Sequence, residues 1–264
     1  MYEFNYRRAN SVSDAVASSA QSDDASYLAG GMTLIPVLKF RLAGPSDVID
    51  LAGLGELKGI QTGDGAVTIG AMTTHATVAA SADVRQAIPA LADLAESIGD
   101  PQVRNRGTIG GSIANADPAA DYPAAVLGLG ATVHTNSRTI AGDDFFTGMF
   151  ETALEPGELV TAVSFPVPER AAYMKFPNPA SRYAVVGVMV SQGGDGVRVA
   201  VTGAGGSAFR VPEMEQALAA NFAPESVADI SVSADGLNED LHASAEYRAH
   251  LVTVMAKRAV AVAG

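Results

Sequence analysis

The chain has 264 residues, of which 48% are hydrophobic, 17% are charged and 27 are glycine. This composition is typical of a globular, loop-rich protein of two or three units and excludes a disordered chain. The net charge of −12 argues against binding to nucleic acid, whose phosphates need a basic surface. The sequence contains no cysteine, which excludes disulfides, a thiolate nucleophile, cysteine-bound zinc and any iron–sulfur cluster ligated by this chain.

The sequence also indicates where the protein is located and whether it binds a metal ion. The first eight residues lack the apolar core of a secretion signal, and no apolar run is long enough to span a bilayer. We therefore expect a cytoplasmic protein without a transmembrane segment. The histidines, His75, His134, His242 and His250, do not have metal-ligand spacing, so no metal site is predicted.

Hydrophobic periodicity predicts a compact α/β unit over residues 1–57. Ser13 is a candidate cap for its first helix and Thr33 for its second, and the Gly44-Pro45 pair is expected to end the second helix. The predicted elements are a helix over 11–20, a strand over 25–28, a helix over 34–42 and a strand over 48–51.

A second unit is predicted over residues 58–168. Two short strands flank the turn Gly63-Asp64-Gly65, Thr73 and Thr74 can cap the helix that follows, and Pro89 is expected to interrupt a longer helical stretch. The predicted elements are strands over 57–60 and 66–70, helices over 84–98 and 119–129, and strands over 131–134 and 159–166.

The third unit is predicted over residues 169–264. A polar connection near 231–238 separates its two predicted helices. Its predicted elements are strands over 185–190, 197–202 and 204–209, followed by helices over 212–220 and 243–262.

Two glycine pairs are candidate phosphate-binding turns. Gly30-Gly31 follows a predicted strand and precedes a predicted helix, whose N-terminal partial charge would add to the exposed amides. Gly110-Gly111 lies in residues 103–123, which we predict to be a loop, with Thr108 and Ser112 as hydroxyl donors. Glycine leaves backbone N–H groups open to a diphosphate. A single such pair is more often a simple turn, but two can bind one diphosphate from both sides.

Three stretches carry a resemblance to a known family. They read Ala29-Gly30-Gly31-Met32-Thr33-Leu34-Ile35, Thr68-Ile69-Gly70-Ala71-Met72-Thr73-Thr74-His75 and Gln102-Val103-Arg104-Asn105-Arg106-Gly107-Thr108-Ile109-Gly110-Gly111-Ser112. In this order and spacing they resemble the FAD-binding medium subunit of molybdenum hydroxylases, the family of xanthine dehydrogenase and aerobic carbon monoxide dehydrogenase. The resemblance extends over essentially the whole chain. Carbon monoxide dehydrogenase subunits usually have histidine where this chain has Met32.

The resemblance implies an α+β fold. It predicts a two-lobed FAD-binding fold of the PCMH type (VAO/PCMH-like), with lobe 1 at residues 1–57 and lobe 2 at residues 58–168. A smaller α/β C-terminal domain of the carbon monoxide dehydrogenase flavoprotein type is expected at residues 169–264.

The resemblance also implies which residues bind FAD. The two glycine loops form opposite walls of the diphosphate site, and Asp121 contacts the polar chain of the cofactor. Lys175 is expected near the flavin, and Tyr183 beside the isoalloxazine ring. The implied set is Leu28, Ala29, Gly30, Gly31, Met32, Thr33, Leu34, Ile35, Ile98, Thr108, Ile109, Gly110, Gly111, Ser112, Asp121, Val160, Lys175 and Tyr183.

Each single role has an ordinary structural alternative. Asp121 equally suits the N-cap of the helix that follows it. By their residue types, Lys175 would be a solvated surface lysine and Tyr183 a core aromatic. Arg104 and Arg106 either order the central stretch or form exposed ion pairs of small energetic value.

The function that the resemblance implies is electron relay within an oxidoreductase. A large subunit carrying the molybdenum cofactor oxidises the substrate, and a small subunit carrying two [2Fe-2S] clusters passes the electrons on. FAD on this chain would deliver them to a quinone, NAD or oxygen. Such a complex is expected to be a dimer of heterotrimers, cytoplasmic and peripheral to the inner face of the membrane. The chain then needs no acid–base pair or nucleophile, and the sequence offers no convincing one.

Two other functions are compatible with the sequence. A stand-alone FAD oxidoreductase of the same fold, related to the reductase of peptidoglycan precursor synthesis, would need its own substrate lobe and proton donor, and the third unit is short. A flavin-free assembly or scaffold subunit would have a decayed cofactor site, and the intact glycine pairs together with Asp121 argue against that decay.

Overall fold

The computed structural model describes residues 1–263, which form three packed units in chain order. Gly264, the last residue of the predicted third unit, lies outside the described residues. Helices and strands are both abundant, and the α+β class predicted from the sequence is confirmed. Within residues 1–263, no helix combines the length and the hydropathy that crossing a bilayer requires.

The first unit is a three-stranded parallel sheet, in the order β1-β3-β2, with two short helices. Its elements are β1 (Asn5–Arg8), α1 (Val12–Ala20), β2 (Ala25–Leu28), α2 (Leu34–Lys39) and β3 (Asp47–Asp50). The predicted cap of α1 is wrong, because Ser11 precedes the helix and its hydroxyl oxygen accepts from the Asp14 amide at 3.0 Å. Helix α2 stops before the predicted residue 42, since Arg41 has a left-handed backbone with φ 60°.

The second unit is built on a five-stranded antiparallel sheet in the order β4-β5-β10-β6-β7. Its elements are β4 (Ile60–Gly63), β5 (Ala66–Gly70), α3 (His75–Ala80), α4 (Ala82–Ala87), α5 (Pro89–Glu96), α6 (Pro101–Arg106), α7 (Ile109–Asn115), α8 (Tyr122–Gly128), β6 (Thr132–Thr135), β7 (Thr139–Ala141), α9 (Gly142–Phe145), β8 (Phe146–Gly148), β9 (Glu151–Thr152) and β10 (Val160–Pro166). Pro89 begins α5, so the expected interruption is a boundary between two helices.

The central stretch is more helical than predicted. Residues 103–123 were expected to form a loop, but α6 extends to Arg106 and α7 occupies Ile109–Asn115. The prediction failed because two glycines lower the local helix propensity, whereas burial of Ile109 and Ile113 supplies the stability through packing. Helix α7 ends at Ala116, which has a left-handed backbone with φ 47°.

The third unit is an antiparallel sheet in the order β11-β12-β13-β14, covered by two helices. Its elements are β11 (Arg170–Pro177), β12 (Ala184–Gly193), β13 (Gly196–Thr202), β14 (Phe209–Arg210), α10 (Pro212–Ala220) and α11 (Ala245–Val262). The strand predicted over 204–209 is wrong except at its last residue, because the chain turns at Gly203 with φ 83°. Strand β12 is almost entirely buried, with α11 and α8 both packed against it.

The third unit also fixes the segment between α7 and α8. The amide of Gly203 donates to the carbonyl oxygen of Pro118 at 2.8 Å, and the amide of Ala184 donates to that of Ala119 at 3.1 Å. These bonds hold the chain immediately before Asp121 against the antiparallel sheet. The hydrophobic clusters cross the expected boundaries, because the cluster around the first sheet includes Met72 and Leu159, and the cluster around the second sheet includes Met189. The boundaries at 57/58 and 168/169 therefore stay predictions.

Candidate functional site

A cavity of about 590 Å³ lies where the two glycine turns approach each other. This volume is in the range of known small-molecule sites, roughly 300–1,000 Å³. The expected FAD-binding residues that line it are Ala29, Gly30, Gly31, Met32, Thr33, Leu34, Ile98, Thr108, Gly110, Gly111, Ser112, Asp121, Val160 and Tyr183. The other expected residues, Leu28, Ile35, Ile109 and Lys175, do not line it. One cavity therefore collects both turns and most of the expected set.

The two turns touch directly, and this contact requires glycine. A Cβ atom on Gly30 would lie 2.0 Å from the carbonyl oxygen of Arg106 and 3.0 Å from the Cα atom of Gly107. A Cβ atom on Gly111 would lie 3.4 Å from the Cβ atom of Ala29. Only a residue without a side chain at position 30 allows the backbones to approach this closely.

The first turn presents a series of open backbone donors. Strand β2 ends at Leu28, and Gly31 turns the chain with φ 75° before α2 begins. The amides of residues 30–34 have no acceptor within residues 1–263, whereas the next amide, that of Ile35, donates to the carbonyl oxygen of Gly31 at 3.0 Å. Amides ahead of the first helical turn are left open in this way, and consecutive open amides attract anions.

The second turn does not offer the amides that we expected of it. The Gly110 amide donates to the carbonyl oxygen of Ala71 at 2.9 Å, and the Gly111 amide donates to Thr108 Oγ1 at 3.2 Å. Gly110 serves close packing instead, since a Cβ atom there would lie 2.5 Å from that of Ala71. The hydroxyl groups of Thr108 and Ser112 donate to no protein group within residues 1–263. This wall therefore offers hydroxyl donors more than amides.

Asp121 belongs to a buried charged network. Lys175 Nζ lies 2.9 Å and 3.0 Å from its two carboxylate oxygens, and the Tyr173 hydroxyl donates to it at 2.5 Å. The side chain makes no capping hydrogen bond, so the capping alternative is wrong, and Lys175, whose side chain is 7% exposed, is not a solvated lysine. Burial, reinforced by Asp121, raises the pKa of Tyr173 well above its ordinary value. Tyr173 therefore keeps its proton and acts as a donor.

Tyr183 lies at the cavity mouth. The residue is 43% exposed, so the core-aromatic alternative is wrong. The neighbouring Arg182 has φ 62° and donates to the carbonyl oxygen of Gly99 at 3.3 Å. Arg104 donates to the same oxygen at 3.1 Å and so orders the central stretch, one of its two expected roles. Burial raises the pKa of Tyr183, and nearby acidic groups raise it further.

The sequence reasoning missed several other cavity residues, and four of them bear on the chemistry of the site: His75, Gly107, Asp117 and Glu158. Burial raises the pKa of Asp117, whereas hydrogen bonding from Arg138 is the main cause that lowers the pKa of Glu158 to about 2. Only His75 and Gly107 belonged to stretches that carried the resemblance. No local spacing distinguished any of the four, because long-range packing brings them together.

Comparison with known proteins identifies relatives over the whole chain. Residues 2–168 match the family described as the FAD binding domain in molybdopterin dehydrogenase. The nicotine 6-hydroxylase medium subunit of Paenarthrobacter nicotinovorans is 37% identical, covering 98% of this chain and 96% of that protein. The carbon monoxide dehydrogenase medium chain of Afipia carboxidovorans is 36% identical, covering 97% and 95%.

A solved structure gives the same result for the fold. It is that of carbon monoxide dehydrogenase from Hydrogenophaga pseudoflava lacking the Mo-pyranopterin moiety of the molybdenum cofactor. One of its chains superimposes with a TM-score of 0.88 and 34% identity, covering 99% of this chain and 97% of that chain. These matches extend over nearly the whole chain and are not confined to the two glycine turns, so the family can be assigned. This chain belongs to the family of FAD-binding domains of molybdopterin dehydrogenases.

Proposed function

We propose that this chain is the FAD-binding medium subunit of a molybdenum hydroxylase and relays electrons through its flavin to an external acceptor. The observation that carries the proposal is the row of unpaired amides at residues 30–34, which faces a cavity shared by both glycine turns. A diphosphate is the part of FAD that such amides bind.

The donor set fits this ligand better than a basic pocket would. Arg182 is the one Lys or Arg residue among the described residues that line the cavity, and Asp117, Asp121 and Glu158 are acidic. The chain as a whole carries a net charge of −12. An anion must therefore be held by local backbone dipoles, and unpaired amides supply them without an ammonium group.

The remaining walls suit the rest of the cofactor. Ile98 and Val160 supply apolar surface, and Tyr183 supplies an exposed aromatic ring at the mouth. The Asp121 carboxylate, held by Lys175, would accept hydrogen bonds from hydroxyl groups of the cofactor's polar chain. When bound, FAD supplies the two-electron storage, while the protein supplies orientation, charge environment and control of solvent access.

Partner subunits complete the proposal. The chain has no cysteine for iron–sulfur ligation, and the described residues contain no group of three or more His, Cys, Asp or Glu side chains that could hold a metal ion. We assign two [2Fe-2S] clusters to a small subunit and the molybdenum cofactor to a large one. A dimer of heterotrimers, a cytoplasmic location at the inner membrane face, and quinone, NAD or oxygen as acceptor belong to the same proposal and rest on the family resemblance.

The test begins with the visible spectrum and flavin content of the purified chain. Bound FAD without turnover supports the relay; colourless, folded material supports a scaffold; turnover by the chain alone supports a stand-alone oxidoreductase. The intact complex, co-purified from cells, is then analysed for molybdenum and iron and screened for substrates. Reduction of its flavin by a substrate that leaves the isolated chain unreduced is the expected result.

A further inference from the structure

His75 is a buried polar residue for which the relay described above has no role. It begins α3, is 4% exposed, and lines the cavity. Its ring packs against that of Tyr122, with centroids 5.4 Å apart. Neither ring nitrogen has a hydrogen-bond partner within residues 1–263. A buried imidazole without any partner is costly, so a partner from outside the chain is expected.

The two ring nitrogens differ in their surroundings. Nδ1 is completely sealed and unpaired, whereas Nε2 is not sealed and lies beside Gly107 at the cavity wall. A Cβ atom on Gly107 would lie 2.5 Å from Nε2, so glycine at this position keeps the nitrogen uncovered. Nε2 is therefore the ring atom that a bound molecule can reach.

The protonation state follows from this difference. Burial, assisted by the charge of Arg104, lowers the pKa of His75 to about 4, so the ring is neutral at pH 7. A neutral imidazole has one N–H group and one bare nitrogen. A sealed N–H group without an acceptor is rarer than a sealed acceptor without a donor, so we assign the bare nitrogen to Nδ1. On this assignment the proton is on Nε2, the nitrogen at the cavity wall.

The position of the His75 Nε2–H group indicates which part of a bound cofactor it can reach. Gly107 is in contact with Gly30, the first residue of the series of unpaired amides. The imidazole N–H and those amides therefore border the same part of the cavity, and both are donors without a fixed positive charge. We propose that His75 is a cofactor-binding residue whose Nε2–H donates a hydrogen bond to an oxygen of the FAD diphosphate. This inference rests on the function proposed above.

Three variants separate hydrogen bonding from ring packing. His75→Phe keeps an aromatic ring against Tyr122 and removes the donor. His75→Gln places an amide nitrogen near the position of Nε2, and His75→Asn places one near the position of Nδ1. Dissociation constants are measured by titrating the flavin-free full chain with FAD, with ADP, which has the diphosphate but no flavin, and with riboflavin, which has no phosphate.

His75→Phe and His75→Asn are expected to weaken FAD and ADP binding by about 10-fold to 100-fold, because a hydrogen bond to a charged group is lost. His75→Gln should stay within about threefold of the unsubstituted chain, and riboflavin affinity should not change. In ¹⁵N–¹H NMR spectra of the unsubstituted chain at pH 7, the His75 proton should be on Nε2. A proton on Nδ1 would exclude the proposed donor even if no variant folds.

The results that would overturn the role of His75 differ from the result that would overturn the proposed function. A proton on Nδ1, unchanged FAD affinity in His75→Phe, or an equal loss of riboflavin affinity overturns the inference while leaving flavin binding intact. Failure of the folded, unsubstituted chain to bind FAD overturns the proposed function, and this inference with it.

Discussion

Replacement of Gly30 by alanine tests the contact between the two glycine turns. The added Cβ atom would lie 2.0 Å from the carbonyl oxygen of Arg106. This neighbour is backbone, so it cannot rotate away as a flexible side chain would. The turns must separate by about 1 Å to restore an ordinary contact, and the unpaired amides at residues 30–34 move with them.

The expected magnitude follows from these distances. Overpacking of this kind costs about 1–3 kcal/mol, which lowers the melting temperature by roughly 3–10 °C for a chain of this size. A displacement of about 1 Å also removes hydrogen bonds to the diphosphate. Losing two bonds to a charged group, at about 1.5 kcal/mol or more each, weakens FAD binding by at least about 100-fold.

The assay compares Gly30→Ala with Gly194→Ala, a control carrying the same substitution in an exposed hairpin turn. A Cβ atom on Gly194 meets no heavy atom within 4 Å, and its φ is not positive. Flavin content after purification, FAD affinity of the flavin-free chain and thermal melting are measured for both. Native affinity and melting temperature in Gly30→Ala would refute the argument that the two backbones touch at this point.

Three further outcomes follow from contacts around the cavity. Gly187→Ala should destabilise the chain by about 1–3 kcal/mol in urea unfolding, because the new Cβ atom would lie 2.2 Å from the Tyr173 hydroxyl oxygen. Adding the substitution Tyr173→Phe should recover part of this stability. If no stability is recovered, the proposed clash is contradicted. Lys175→Met should cost about 3–5 kcal/mol by leaving its carboxylate partner buried without a cation, and a cost below about 1 kcal/mol would show that this carboxylate becomes solvated or protonated. Because Arg138 lowers the folded-state pKa of Glu158 to about 2, this carboxylate stabilises the fold above pH 4.5, and that contribution is lost as the pH falls toward 2. Arg138→Leu should therefore be less stable at pH 7 and lose less stability between pH 4.5 and 2; equal slopes in urea unfolding series would rule this out.

The resemblance to the family predicted the α+β class, and local sequence patterns predicted most strands and the positions of both glycine turns. These features depend on short-range chemistry, because alternating apolar residues define strands and glycine permits tight turns. The strands at 25–28 and 66–70 occur as predicted, and the helix after Gly30-Gly31 begins at Leu34. The order of the motifs along the chain was also sufficient to indicate the family.

Long-range packing decided the properties of the site itself. Burial of Ile109 and Ile113 makes a helix of a glycine-containing stretch, and the Gly110 amide of that helix donates to the distant carbonyl oxygen of Ala71. Local chemistry had favoured open amides at both turns, yet only the turn at Gly30 retains them. The pairing of Asp121 with Lys175 likewise joins distant parts of the chain. Whether a polar atom is free to bind a ligand depends on which distant group already occupies it, and only tertiary structure determines that.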